Sequence, residues 1–307
     1  MRVFLAGGTG AVGRHALRAL VSAEHEVSAI VRSEESAQWV RLMGGEPVHV
    51  SLFDREDLRR AVGKHDAVVN LATAIPPTSH FMRASAWEMN DRIRSEGSAN
   101  LVDAALAGRA ERFVQESVAM VYADRGSDWI DEEWRTERFP MAQGNHAAET
   151  SARRFADAGG TGVILRFGWF YDPGATHSEE FLDLARRRGV CVMMGPPTTY
   201  VSSIHMEDAG AAVAAALKLP SGVYNVVDDQ PLTKRDYADA LAAAAGRRRY
   251  LRAPGRLALL LGNKTTSLTR SLRVSNEKLR RSSTWTPRYP SAWEGWRAMA
   301  KTLSRFR

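Results

Sequence analysis

Cysteine is almost missing from this chain of 307 residues; Cys191 is the only one. No intramolecular disulfide can form, and no zinc site can be built from thiolates. Long hydrophobic runs are missing too. The longest run near the C-terminus, residues 257–261, is far too short to span a bilayer. The opening Met1-Arg2-Val3-Phe4-Leu5-Ala6 leads straight into glycines, without the apolar stretch of a signal peptide, so a cytoplasmic location and no membrane partner are expected. Lysine is scarce: six of the 42 basic residues, at positions 64, 218, 234, 264, 278 and 301. The formal net charge is +7, which suggests phosphate-bearing partners. The arginines are dispersed, however. Their densest runs are 186–188, 247–249 and 280–281, and the first and third suit helix ends. No zinc finger, RNA-binding aromatic signature or helix-turn-helix accompanies them, so a solvated basic surface is expected and no nucleic-acid partner. At 44% hydrophobic and 25% charged, the composition is that of a globular protein with one large domain or two intimate ones.

The first 120 residues alternate β-rich runs with helical patterns. Strands are expected at residues 3–6, 26–32, 47–52, 67–72 and 112–116. Helices are expected at 13–23, 34–43, 55–62 and 87–106, the third capped by Asp54. Further along come helix 142–158, strand 162–167, strand 202–205, helix 207–217, strand 222–227 and helix 234–245. The tail after Arg247 is broken by Pro254, Gly262, Pro287 and Pro290. Strands alternating with helices of these lengths predict an α/β fold, a doubly wound parallel sheet of Rossmann type with helices on both faces. No internal repeat or low-complexity segment is found.

Gly7-Gly8-Thr9-Gly10-Ala11-Val12-Gly13 follows the first strand and opens the first helix. Glycine is needed where the chain turns sharply and where backbone must approach a pyrophosphate, and the helix N-terminus offers N–H groups and a positive dipole. Gly7, Thr9, Gly10, Ala11, Val12 and Gly13 are therefore candidate dinucleotide contacts; the alternative is a tight turn without a ligand. Strand 2 ends Ile30-Val31-Arg32-Ser33 rather than in the acid that takes the ribose hydroxyls of NAD. Arg32, with Arg14 past the last glycine, favours NADP(H) over NAD(H), although Glu34 and Glu35 stand close enough to serve the acid's role.

These features, together with Asn70-Leu71-Ala72, the run from Ser117 to Val121-Tyr122, Leu165-Arg166-Phe167-Gly168-Trp169-Phe170-Tyr171-Asp172-Pro173-Gly174, Ile204-His205-Met206-Glu207-Asp208 and Val223-Tyr224-Asn225-Val226, resemble the extended short-chain dehydrogenase/reductases, the NAD-dependent epimerase/dehydratase group. Met89-Asn90-Asp91-Arg92-Ile93-Arg94-Ser95-Glu96-Gly97 and Pro287-Arg288-Tyr289-Pro290-Ser291 are most similar to an atypical branch of it. The resemblance covers nearly the whole chain. It implies a cofactor core at residues 1–167, with 203–227 returning to it, and a smaller C-terminal substrate-capping domain from 168–202 and 228–307. It further implies cofactor contacts at Ser51, Leu52, Leu71, Ala72, Thr73 and Phe170, and a small-molecule pocket among Trp129, Trp134, Met141, Asn145, Trp169 and Tyr200. No metal is implied. Pairing into a homodimer through helices 87–106 and 142–158 would follow the family's habit.

One departure dominates. The family's proton transfer rests on a Tyr-x-x-x-Lys pair and an upstream Ser or Thr, the lysine lowering the tyrosine's pKa. Aligned on Glu149, Met141 falls at the tyrosine position, Asn145 at the lysine position and Val118 at the hydroxyl position. No lysine occurs between Lys64 and Lys218 and no tyrosine between Tyr122 and Tyr171, so no register restores the pair. Tyr122, Tyr171 and Ser117 are the replacement candidates; His146, His80 and His205 are more remote. For the tyrosines the alternative is a buried ring with a satisfied hydroxyl, and for Ser117 a backbone hydrogen bond. Trp129 and Trp134 either line an aromatic pocket or cover a hydrophobic edge.

Three functions fit these residues. The first is an NADP-linked reductase drawing its proton from a replacement group or from water. The second is a non-redox isomerase, lyase or cyclase using the dinucleotide structurally or not at all. The third is a non-catalytic sensor of NADP. Hydride transfer needs only cofactor held against substrate, which places the reductase first.

Overall fold

The computed structural model describes residues 1–173, 175–252 and 255–305. Gly174 and Pro254, noted above, lie outside the described residues. The first half carries β1 (Arg2–Ala6), α1 (Ala11–Ser22), β2 (Glu26–Ile30), α2 (Glu34–Leu42), β3 (Glu46–Val48), α3 (Arg55–Val62), β4 (Ala67–Asn70), α4 (Glu88–Arg92), α5 (Ser98–Ala107), β5 (Arg112–Val118), β6 (Trp129–Ile130) and α6 (Gln143–Asp157). Then follow β7 (Thr161–Phe167), β8 (Trp169–Tyr171), α7 (Thr176–Arg188), β9 (Val190–Cys191), β10 (Tyr200–Val201), β11 (Ser203–His205), α8 (Met206–Ala216) and β12 (Gly222–Val226). The chain closes with β13 (Leu232–Thr233), α9 (Lys234–Ala244), β14 (Leu251–Arg252), α10 (Thr266–Thr269), β15 (Arg273–Val274), α11 (Glu277–Ser282) and α12 (Ala292–Arg305).

Seven strands form one parallel sheet in the order β12-β7-β5-β4-β1-β2-β3. The chain runs outward from β1 to β3, then returns to β4 and runs the other way. The order therefore reverses between β1 and β4, where open α/β sheets bind ligands. Strand residues alternate between two buried faces. Val3 and Leu5 pack toward Ala16, Leu20 and Val213, while Phe4 and Ala6 pack toward Leu58, Leu101 and Phe155. A strand buried on both sides has to be apolar throughout, which is why Ala67-Val68-Val69 carries no polar side chain. Helix α8 lies close on α1 because Gly210 has no side chain; a Cβ there would stand 2.5 Å from the carbonyl carbon of His15.

The caps follow sequence logic. Asp54 accepts from the Asp57 amide at 3.0 Å, and Ser33 accepts from Ser36 at 3.2 Å. The strands expected at 26–32 and 67–72 end two residues early, at Ile30 and Asn70, and two elements differ by more. The third strand ends at Val48 rather than residue 52, because the chain turns: the Asp54 amide donates to the Ser51 carbonyl and the Phe53 amide to Ser51 Oγ. The helix expected at 87–106 is divided by a π-helical turn at Ile93–Gly97. That turn carries Arg94 inward to a buried pair with Glu116 at 2.8 Å. Elsewhere, α7, α9 and α12 gather a separate apolar core around Tyr171, Leu182, Cys191, Tyr237 and Trp296. Among the described residues no helix is long and apolar enough to cross a membrane.

A buried ion pair ties the sheet to α6. Arg166 on β7 donates twice to Glu149, at 2.8 Å each, and Ser117 Oγ donates to the same carboxylate at 2.8 Å. Burial alone would push the Glu149 carboxyl up; Arg166 and Ser117 outweigh it and hold the group below the ordinary carboxylate value. Glu149→Ala leaves the Arg166 guanidinium buried and unpaired, so urea titration is expected to show a loss of about 3–5 kcal/mol. Because the folded-state pKa is depressed, this contribution is present above the unfolded value near 4.5 and fades as pH falls below it. Acid titration of the variant is expected to lose that part of the transition.

Candidate active site

The glycine loop is shaped by lack of space. Gly7 has φ +81°, and a Cβ there would sit 2.6 Å from the carbonyl of Leu71, so the exit of β1 presses on the exit of β4. A Cβ at Gly13 would lie 1.9 Å from the Gly7 carbonyl oxygen. Gly10 is different: it is exposed, and only the Gly7 oxygen stands near its Cβ position, at 3.2 Å. Gly10 caps α1 without a side-chain acceptor, and no acid lies in the first turn. The amides of that turn therefore face no protein anion, and the backbone around Gly10 is open to one. Thr9 and Val12 are partly exposed beside it and Ala11 is exposed. These residues fit a pyrophosphate.

At the end of β2, Arg32 is exposed and makes no side-chain hydrogen bond or ion pair among the described residues. The Arg14 guanidinium lies 4.9 Å over the Trp39 ring, and its Nε donates to the Thr9 carbonyl at 3.2 Å. Glu34 is engaged within its own helix by Arg41 at 2.8 Å, a bond that lowers its carboxyl below the ordinary value. Ser51 Oγ accepts from the Phe53 amide, and Leu52 offers its carbonyl to Asn100 at 2.9 Å.

The segment after β4 is clamped from two sides. Asn70 Nδ2 donates to Ser98 and Gln115, each at 3.0 Å, while its Oδ1 accepts from the Ala72 amide at 3.2 Å. This fixes Leu71 and Ala72 against the glycine loop. Beyond the half-buried Thr73, Asn90 Oδ1 accepts from the Ala74 amide at 3.3 Å.

Val118 and Met141 pack into a single apolar cluster with Val121, Phe139 and Ala142. One turn on, Asn145 is 5% exposed; its Nδ2 reaches the Met141 carbonyl at 3.5 Å and its Oδ1 is buried without a partner. Beside it, a Cβ on Gly144 would stand 2.7 Å from Asp91 Oδ1, a second buried oxygen without a hydrogen-bond partner. Desolvation raises the Asp91 carboxyl above its ordinary value. Burial raises Glu116 as well, with Arg94 opposing. Asn90, Asp91 and the Arg94–Glu116 pair were missed by sequence reasoning. The available signal was Glu116 itself, an acid inside an apolar strand, which has to find a cation.

Of the hydroxyl candidates, Tyr122 and Ser117 meet at the Arg166–Glu149 pair, and Tyr171 lies in the separate core. Tyr122 is fully buried under Arg166, whose guanidinium lies 4.7 Å from the ring centroid, and its hydroxyl donates to Asn225 Oδ1 at 2.7 Å. Tyr171 is fully buried in the separate core, donating to Asp228 at 3.2 Å and stacked on Trp296. Desolvation raises both phenols, away from the range of proton exchange near neutrality. Ser117 is spent on Glu149. His146 Nε2 lies 3.0 Å from the Glu137 carbonyl, and His80 is exposed. His205 is buried beside Asp172 at 3.4 Å, its pKa lowered to about 3 by desolvation.

The expected pocket residues are also dispersed. Trp129 is 44% exposed with Arg273 at 4.3 Å from its ring, and the same arginine lies 5.0 Å from the ring of Tyr200. Trp134 donates to the Ala123 carbonyl at 3.1 Å under Arg125. Trp169 meets His177 edge-on, and Phe170 packs against Phe167. Met141 and Asn145 are the pocket residues that share one helix end and its preceding turn.

A family described as NAD(P)H-binding matches residues 7–220. The chain belongs to it. This family member is an enzyme of the short-chain dehydrogenase/reductase type. It is 30% identical, over 96% of its own length and 99% of the other, to a 3-diazoavenalumate denitrifying reductase from Streptomyces sp. A 4-hydroxy-2-methyl-3-oxo-4-farnesyl-3,4-dihydroquinoline-1-oxide ketoreductase from Stigmatella aurantiaca is 29% identical over 80% of this chain and 74% of that one. The fold is that of a dTDP-glucose 4,6-dehydratase from Streptomyces venezuelae solved with NAD bound: TM-score 0.80 and 19% identity, covering 99% of this chain and 97% of the other.

In this NAD(P)H-binding protein, Tyr122→Phe leaves Asn225 Oδ1 without its buried donor. Urea titration is expected to register a loss of about 1–3 kcal/mol. If Tyr122 carried proton transfer instead, turnover would collapse while stability hardly moved.

Proposed function

We propose that this enzyme is an NADP(H)-linked reductase that delivers hydride to a small, largely apolar organic substrate without a protein proton donor at the usual place. The observations that carry this reading are the packing of Val118 and Met141 into one apolar cluster beside Asn145 and a glycine loop whose geometry suits a pyrophosphate.

Gly10, Ala11 and Val12 would hold the pyrophosphate through backbone amides, with Gly7 and Gly13 giving the loop its shape. Arg32 has no partner of its own to give up, and it would meet a 2′-phosphate together with Arg14. Leu71, Ala72 and Thr73 would lie along the nicotinamide end, and Ser51 and Leu52 along the adenine end. Asn145 would turn its orphaned Oδ1 to a ribose or substrate hydroxyl, since a buried acceptor otherwise keeps its desolvation cost. Val118 and Met141 would offer apolar surface to the substrate and exclude water. Residues 168–202 and 228–307 would close over it as a cap.

A bound reduced nicotinamide supplies hydride to an electrophilic carbon, and at an aryldiazonium carbon that hydride replaces N2 with no proton transferred. That stoichiometry suits a site without a phenol, and the diazo-bearing substrate named for the relative covering 96% of this chain favours it. A ketone reduced at the same site would draw its proton from water or from Asp91, the raised carboxyl beside Gly144.

Two measurements test the reading. In fluorescence titrations NADPH is expected to bind more tightly than NADH, and Arg32→Ala to weaken NADPH about tenfold or more while leaving NADH nearly unchanged. Equal loss for both would remove the 2′-phosphate assignment. Incubation with NADPH and a substituted benzenediazonium salt is expected to release N2 and the arene faster than the uncatalysed mixture. No acceleration there, with turnover of an aryl ketone instead, would move the substrate class to carbonyls.

A further inference from the structure

The chain's positive charge is concentrated in one stretch. Between residues 240 and 276 there is no acid, while Arg247 to Arg249, Arg252, Arg256, Lys264, Arg270 and Arg273 supply eight cations. The whole chain carries +7, so the remainder is slightly acidic. The same stretch bears a cluster of exposed large apolar side chains: Leu260 is 82% exposed, Leu251 71%, Leu257 59% and Leu259 51%. Ordinary surfaces scatter such residues singly. Here four leucines fall within ten residues, with Arg248, Arg249 and Arg256 exposed among them. Asp239 engages Arg252 at 3.2 Å and Glu137 engages the half-buried Arg270, so Arg247, Arg248, Arg249, Arg256 and Arg273 have no acid partner among the described residues.

The leucine-bearing turn at Gly255–Lys264 is anchored from beneath. Thr265 is fully buried and its hydroxyl donates to the Ala258 carbonyl at 2.6 Å. Behind it, Lys234, itself 4% exposed, donates to the Leu268 and Arg270 carbonyls at 2.9 and 3.1 Å and holds α10 in place. The turn packs against Pro140–Ala142, the segment that holds Met141, and Ser267 on α10 lies 4.0 Å from the Met141 sulfur. The turn that bears Leu257, Leu259 and Leu260 therefore stands beside the apolar end of the candidate active site.

We propose that the exposed leucines Leu251, Leu257, Leu259 and Leu260, with the exposed Arg248, Arg249 and Arg256, dock the enzyme on an anionic phospholipid surface. Apolar side chains at the tip of an anchored turn, ringed by cations, match an interface that is hydrocarbon below and phosphate above. Each arginine adds attraction to the negative leaflet and each leucine adds apolar burial. The charge complementarity selects a membrane over a second copy of this chain, since two copies would bring like-charged rings together. A surface contact needs no spanning helix, and docking here departs from the sequence-based expectation of no membrane partner. Resting on the reductase reading, the position beside Met141 gives membrane-dissolved substrates a short way into the site.

Co-sedimentation with phosphatidylcholine vesicles, with and without phosphatidylglycerol, tests this on the intact protein. The protein is expected to pellet with the phosphatidylglycerol vesicles at low salt, and to be released near 0.5 M salt, where the Debye length falls below about 5 Å. Leu257→Ser with Leu260→Ser is expected to lower the partition coefficient about tenfold or more. Arg248→Glu with Arg249→Glu is expected to do the same through charge. An NADPH titration on each variant reports the cofactor site separately, so loss of vesicle binding with an unchanged titration supports docking whatever the reductase reading's fate. No pelleting at low salt, equal pelleting with neutral vesicles, or leucine variants that pellet like the parent would each overturn the proposal. A concentration-dependent dimer in light scattering that the leucine variants abolish would overturn it in favour of a second copy.

Discussion

The space between the exits of β1 and β4 is too small for a side chain. A Cβ at Gly7 would fall 2.6 Å from the Leu71 carbonyl, and one at Gly13 would fall 1.9 Å from the Gly7 oxygen. Because these backbones touch, the loop is forced outward at Gly10 and the first turn of α1 is left open at the point where strand order reverses. The Asn70 amide fixes the other wall by holding Ser98, Gln115 and the Ala72 amide together. The geometry of the glycine loop follows from close packing more than from any single side chain.

The same frame shows what has been given up. Proton transfer in this fold class needs a polarised hydroxyl, a base beside it and a cation to lower the pKa. On the proposed reading Val118, Met141 and Asn145 stand in those places, and Tyr122 and Tyr171 are committed elsewhere. Tyr122 lies between Arg166 and Asn225, and Tyr171 between Asp228 and Trp296. On the proposed reading, what survives is a site that would hold a dinucleotide against an apolar substrate, and hydride chemistry without a protein acid is the reaction it would perform.

Much of the fold was legible because its signals are local. The β1 loop, the alternation of strands and helices, and the caps at Ser33 and Asp54 all depend on residues within a few positions of one another. What was not legible depends on distant partners. The π turn at Ile93–Gly97 accompanies an ion pair between Arg94 and Glu116, 22 positions apart. Burial of the Tyr122 hydroxyl requires Asn225, 103 positions away. Trp129 meets an arginine contributed by β15. The missing catalytic pair could be read from composition alone, because no alignment can supply a lysine that the segment lacks. The orphaned Oδ1 of Asn145 could not, since only packing makes it buried.

The central claim is that this site moves hydride without a protein proton donor. Single-turnover transfer of deuterium from 4-deuterated NADPH to a benzenediazonium acceptor, followed from about pH 6 to 9, tests it most directly. The account expects deuterium at the former diazo-bearing carbon, at a rate unchanged across that range and unaffected by Tyr122→Phe or Asp91→Asn. A rate that titrates with a single group and is lost in Asp91→Asn would contradict it, and would make Asp91 the acid that replaces the missing phenol.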